Sequence, residues 1–208
     1  MKKPDQDVFE SASRKSFSLK PFTSTPKTAG LVVQGNVLRE GSSLVFSYGI
    51  KGDLEQIVLP ELGESASAEN HIGEAFARKD RLWERTCFEF FLSGDKHHTK
   101  DTPYWEFNMS PTGEWNVFSL EGYRKGLQEE QTITRLPFEV YRSNNYLNLT
   151  MTLDIRALMA PESVIRVGVS MVVLCASASA QPVESFWAIA HPGPEADFHH
   201  PDSFVLSL

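Results

Sequence analysis

The sequence predicts an all-β protein, an antiparallel β-sandwich of jelly-roll or immunoglobulin-like build. Three observations carry this. Apolar and polar residues alternate with a period of two in one short segment after another. Clusters of Gly, Pro, Asn and Asp punctuate those segments, and no strongly helical pattern lies between them. Roughly ten or eleven short strands of this kind suit two packed sheets.

Residues 1–15 are polar and read as a flexible tail, with one domain covering 16–208. Strands are expected at SFSLKPF (16–22) and LVVQGNVLRE (31–40). Leu44, Phe46, Tyr48 and Ile50 then alternate with Ser43, Val45, Ser47 and Gly49 up to a Lys51-Gly52-Asp53 turn, after which LEQIVLP (54–60) reads as another strand. The acidic, Ala/Ser/Gly-rich stretch 61–80 has no such alternation and reads as a long loop with a helical turn near Gly73–Arg78.

In RLWERTCFEFF (81–91), read as a strand, Thr86, Phe88, Phe90 and Leu92 form an apolar row, and Trp83, Arg85 and Glu89 point the other way. Residues 103–120 form a hairpin. Trp105, Phe107 and Met109 share one face and Tyr104, Glu106 and Asn108 the other, and Ser110-Pro111-Thr112-Gly113 makes the turn before EWNVFSL. Further strands are expected at 133–141, at 145–153 with Leu147, Leu149, Met151 and Leu153 inward, and at 164–175 with Ile165, Val167, Val169, Met171 and Val173 on one face. Asp154 is a helix cap for Ile155–Met159. SFWAIAH (185–191) and SFVLSL (203–208) complete the series.

Composition narrows the function. With 208 residues, 41% apolar and 23% charged, the chain resembles ordinary globular proteins. A net charge of -7 and a pI near 5.4 lack the basic footprint that nucleic acids or anionic membranes require. No apolar run approaches membrane-spanning length. MKKPDQDVFESASRKS has no apolar stretch behind its basic residues, so a cytoplasmic location is expected. Cys87 and Cys175 sit in strand-like runs without metal spacing and are read as buried free thiols, with a single bridge left open.

LWERTCFEFFL, YWEFNMSPTGEWNVFSLEGYRKG and SFWAIAHPGPEADFHHPDSFVLSL, together with FSLKPFTSTP and KGDLEQIVLP, resemble the bacterial DOMON-like domain proteins, relatives of the family 9 carbohydrate-binding modules. The resemblance covers most of residues 16–208 and implies a β-sandwich with a ligand in a concave face or loop-rimmed pocket. Sugar and haem are the ligands it implies. It also implies that a Trp ahead of a strand carboxylate clamps a sugar with a second Trp. Trp83 and Glu89 match the first part of that arrangement, and Trp187 is the candidate for the second.

The residues themselves suit a flat, hydroxyl-bearing ligand. Trp83 and Trp187 offer ring surface, while Arg85, Glu89, Glu106 and Asn108 offer hydrogen bonds, with His191 and His199 at the rim. A purely structural account instead makes Arg85 and Glu89 a same-face ion pair, with the aromatics packed under the 61–80 loop. His191, His199 and His200, flanked by Asp197 and Asp202, look like a metal cluster, but adjacent histidines on extended backbone diverge, and no metal is expected. His97-His98 reads as a solvated pair. Haem would need Met109 or His191 as an axial ligand, and Met109 shares the parity of core residues. No catalytic motif is present, and a Glu89–Glu106 pair serves a lectin-like site as readily as a glycosidase. The expectation is a non-enzymatic module without a cofactor that binds a small polar ligand, foremost a saccharide. The rivals are a structural or protein-interaction sandwich and a haem-binding domain.

Overall fold

The computed structural model describes residues 12–60, 71–72, 77–178 and 181–208. Among them the chain forms β1 (Ser13–Pro21), β2 (Val32–Glu40), β3 (Ser43–Lys51), β4 (His71–Ile72) and β5 (Cys87–Ser93). The hairpin of β6 (Tyr104–Met109) and β7 (Trp115–Leu120) follows, then β8 (Gln128–Glu129), β9 (Phe138–Ser143) and β10 (Tyr146–Asp154). β11 (Arg166–Cys175), β12 (Val183–Ala188) and β13 (Leu206–Ser207) end the chain.

All of these strands pair antiparallel, in two layers. The first runs β4-β9-β10-β3-β2-β1 and the second β12-β11-β5-β6-β7-β8, with β13 also on β11. The layers join where the end of β1 crosses over, pairing Lys20 with Ala188 and Pro21 with Trp187. The all-β sandwich read from the periodicity is the fold observed.

Alternation places one row of each strand between the layers. Phe46 of β3 stacks on Phe90 of β5 at 4.1 Å between ring centroids, and Phe90 on Phe107 of β6 at 4.3 Å. Leu147, Leu149, Met151 and Leu153, and Val167, Val169, Met171 and Val173, belong to the same core, as expected. Tyr48 Oη reaches across it, 2.9 Å from the Glu89 carbonyl and 3.1 Å from that of Ser170, so one proton serves two register partners of β5 and β11.

The turn at 110–114 follows its chemistry. Gly113 adopts φ 101°, and the Ser110 amide closes on the Glu114 carbonyl at 2.8 Å. Asp154 caps Ile155–Ala157 by accepting the Arg156 amide, but that element is one 3-10 turn rather than a helix to Met159.

Other expectations shift. β1 begins at Ser13, inside the segment read as a tail. LEQIVLP is not a strand: Leu54–Gln56 form a 3-10 turn under Asp53, and only Ile57 bridges, to Cys175. Leu54 and Ile57 still face inward, which alternation alone cannot distinguish from ladder pairing. The strand expected at 133–141 is β9, and the C-terminal run is a Pro201–Ser203 turn followed by the two-residue β13. The helical turn expected from Gly73 lies for the most part outside the described residues, and Arg78 forms a bridge to Trp115. Both cysteines are free and buried.

Candidate functional site

β5 lies in the middle of the second sheet, and all seven of its residues are buried. Phe88, Phe90 and Leu92 fill the core between the layers. The opposite row, Cys87, Glu89, Phe91 and Ser93, faces outward and is buried because loops cover that outer face. The neighbouring strands add Glu106, Val172 and Phe186 to the same face. A cleft of about 530 Å³ opens above them, within the ~300–1,000 Å³ range of small-molecule sites.

Three segments far apart in sequence wall the cleft: the 3-10 turn Leu82–Glu84 with Trp83, the β7–β8 loop with Arg124 and Leu127, and the C-terminal loop with Phe198 and His199. Trp83 is half-buried and stands edge-on to Phe118 at 5.6 Å, and Phe198 stands edge-on to Phe186 at 6.0 Å. Two of the walls are latched together. Asp197 accepts from Arg124 Nη2 at 2.8 Å, from Tyr123 Oη at 2.6 Å and from the His199 amide at 3.1 Å. Arg124 has the left-handed φ of 53°, which costs a non-glycine residue about 1–2 kcal/mol and is held by this latch.

Glu89 and Glu106 form the polar floor, diagonal to each other because Glu89 pairs with Asn108 and Phe91 with Glu106. Burial raises the Glu89 carboxyl to about 8; the charge of Glu106 adds to the rise, and the hydrogen bond from Ser170 Oγ, 3.0 Å from Oε2, opposes it. Burial also raises Glu106, against the Asn108 amide, which donates to Oε1 at 2.8 Å, and the charge of Arg124. At neutral pH Glu89 therefore carries its proton.

His199 is lowered to about 4 by burial and then by Arg124, against Asp197, so it is neutral. Its Nδ1 lies 2.8 Å from Tyr104 Oη, which accepts the Arg124 amide at 3.4 Å. The hydroxyl then donates to Nδ1, leaving the imidazole proton on Nε2, 3.8 Å from Glu106 Oε2. The arrangement is a set of hydrogen-bond donors and acceptors among aromatic rings.

The sequence-derived residues separate into those that reach the cleft and those that do not. Trp83, Glu89, Glu106 and His199 line it. Trp83 does so from a turn and not from a strand, because the strand starts only at Cys87. Arg85 caps that turn and is exposed away from the cleft, so it makes no pair with Glu89. Asn108 is fully buried behind Glu106 and holds it in place.

Trp187 points the opposite way. It is 2% exposed in the core between the sheets, with Nε1 unpartnered among the described residues, and Phe186 takes the cleft-facing position. Both faces of β12 carry aromatics, so periodicity could not choose between them. His191 packs on Phe22 and lies 2.8 Å from the Lys20 carbonyl, outside the cleft. Met109 is a core residue, and neither it nor His191 reaches the cleft, which leaves the two suggested haem ligands without a common site. His98, read as solvated, is half-buried and packs tilted against Phe204, with ring centroids 3.8 Å apart. Among the described residues, no group of three or more His, Cys, Asp or Glu side chains converges as a metal site.

Sequence reasoning missed Arg124, Phe186 and Phe198. The Phe186 signal was the alternation of Glu184 and Phe186 against Ser185 and Trp187. The other two occupy loops, where no period exists to read.

No protein-family model and no curated protein sequence matches the chain. Among solved structures it is similar to a Bacteroides uniformis protein described as a "putative carbohydrate-binding protein", over 90% of this chain and 83% of that one, with 13% identity and a TM-score of 0.58. That likeness is one of fold. Two structures of a family 9 carbohydrate-binding module from Caldicellulosiruptor kristjanssonii, with cellotriose and with glucose, are similar at 8% identity and TM-scores of 0.45 and 0.46. They cover 88% and 98% of this chain and 75% and 86% of their own.

Proposed function

We propose that this protein is a non-enzymatic module of the DOMON-like kind that binds a small polar ligand, foremost a saccharide, in the cleft on the outer face of its second sheet. The observation that carries this is the convergence of aromatic rings and buried hydrogen-bonding groups in one accessible cleft. Trp83, Phe186 and Phe198 supply apolar surface for the carbon face of a sugar ring. Protonated Glu89, the second carboxyl Glu106 and His199 Nε2–H supply donors and acceptors matched to hydroxyls. The described function of the Bacteroides uniformis protein, whose fold is similar, supports the same reading. No bond need be made or broken for it.

Calorimetric titration with mono- and disaccharides tests it. A sugar that binds should lose about 10- to 100-fold in affinity in Trp83→Ala, equivalent to about 1.4–2.8 kcal/mol. The melting temperature of the free variant should change little, because Trp83 is only half-buried. Silence across a broad saccharide panel, with the native fold confirmed, would overturn the reading in favour of a protein-interaction domain.

A further inference from the structure

The charges of the cleft are unbalanced. Among the described residues four carboxyls line it: Glu84, Glu89, Glu106 and Glu184. Glu84 is ion-paired with Arg81, and the cation that lines the cleft, Arg124, is already engaged by Asp197. Glu89 and Glu106, 2% and 6% exposed, hold neutral partners at hydrogen-bonding distance, a serine hydroxyl and an asparagine amide. His199 approaches Glu106 as a neutral ring. Glu89 Oε1 and Glu106 Oε2 accept no hydrogen bond from any described residue. Both residues line the cleft, so these oxygens can accept from a ligand there once Glu89 gives up its proton.

Three classes of ligand meet that demand unequally. An anion would face carboxyls without a free countercharge among the described residues. A metal ion would need at least three converging protein ligands, and none of the described groupings provides them. An organic ammonium needs acceptors on one side and tolerates ring faces on the other, since aromatic π-systems attract cations. The floor supplies Glu89 and Glu106, and the rings of Trp83, Phe91, Phe186 and Phe198 surround them.

On the basis of the saccharide reading above, we propose that the preferred ligand is an amine-bearing saccharide whose protonated amino group docks between Glu89 and Glu106. The ammonium supplies an unpaired positive charge, which the described lining does not. Its approach favours the ionised form of Glu89, so the proton that Glu89 carries at neutral pH leaves as the ligand binds. Binding of the amine is therefore coupled to proton release, and binding of a neutral sugar is not.

The test is calorimetry at pH 7 in two buffers of different ionisation enthalpy, using glucosamine, glucose, N-acetylglucosamine and ethanolamine. Glucosamine should bind at least 10-fold more tightly than glucose or N-acetylglucosamine, with a buffer-dependent heat that reports proton release. Glu89→Gln, checked for native folding by circular dichroism, should abolish the gap between glucosamine and glucose together with the proton release. If glucose or N-acetylglucosamine binds as well as glucosamine, the amine docking is overturned while the saccharide reading stands. If ethanolamine binds as tightly as glucosamine, the ring contributes nothing and the amine-bearing saccharide is overturned. If none of the four binds, the amine docking is overturned, and the saccharide reading falls with it only if the broader panel is silent as well.

Discussion

Trp187 and Trp83 have the same side chain and opposite roles. Trp187 is sealed between the sheets, and replacing it by alanine leaves a large cavity, expected to cost about 3–5 kcal/mol in urea unfolding. Trp83→Ala removes a ring that is only half-buried and should cost less. Tyr104 shows how one hydroxyl sets the chemistry of a neighbour. Its bond to His199 Nδ1 keeps the ring proton on Nε2, facing Glu106. Nitrogen-detected NMR should find the Nε2–H tautomer of His199 in the native protein and a mixture in Tyr104→Phe. An unchanged spectrum would show that burial alone selects the tautomer.

Among the elements, the hairpin β6–β7 and the strand β5 were legible because alternation and a Ser-Pro-Thr-Gly turn act locally. LEQIVLP was not, because a 3-10 turn with inward Leu54 and Ile57 presents the same apolar spacing as a strand. The β7–β8 loop was illegible for a different reason. Its position depends on Arg124 meeting Asp197, 73 residues away. Asp197→Ala removes the acceptor of three donors and leaves Arg124 in a left-handed conformation without its partner. Hydrogen exchange should then quicken in residues 121–127 and 196–199, while the amides of β5 keep their protection. Equal loss of protection in β5 would mean that the latch supports the whole sheet and not just the walls of the cleft.

Across the whole molecule, the buried titratable groups oppose one another in pH. Glu89 has an ordinary value of 4.5 and a folded value of about 8, so between these the folded protein holds more protons than the unfolded chain. Its contribution to stability is full below 4.5 and is lost as pH rises through 8, and Glu106 acts in the same sense. His98 and His199 fall from 6.5 to about 4, so their contribution is present above 6.5 and is lost as pH falls through 4. Below 6.5 the two histidines offset or outweigh the two carboxyls and above it Glu89 dominates, so stability should be greatest near pH 6.5. From pH 6.5 to 8, Glu89 alone should remove about 2 kcal/mol, at ~1.4 kcal/mol for each unit. Chemical denaturation across pH 5–9 should show this fall, shallower in Glu89→Gln. Parallel profiles for the two proteins would show that Glu89 ionises freely in the folded state.

The alternation of residues such as Leu147 to Leu153 and Phe88 to Leu92 was enough to determine an antiparallel sandwich, since each strand must bury one row and two such surfaces cover each other. It also determined that Glu89, Glu106 and Asn108 share a face. Tertiary structure alone decided that Phe186, and not Trp187, looks into the cleft, because both rows of β12 are apolar enough to be buried. It alone decided that Trp83, Arg124 and His199 meet over that floor. Periodicity records the direction of a side chain within its own strand, whereas a site walled by loops depends on contacts between distant segments, which no local pattern encodes.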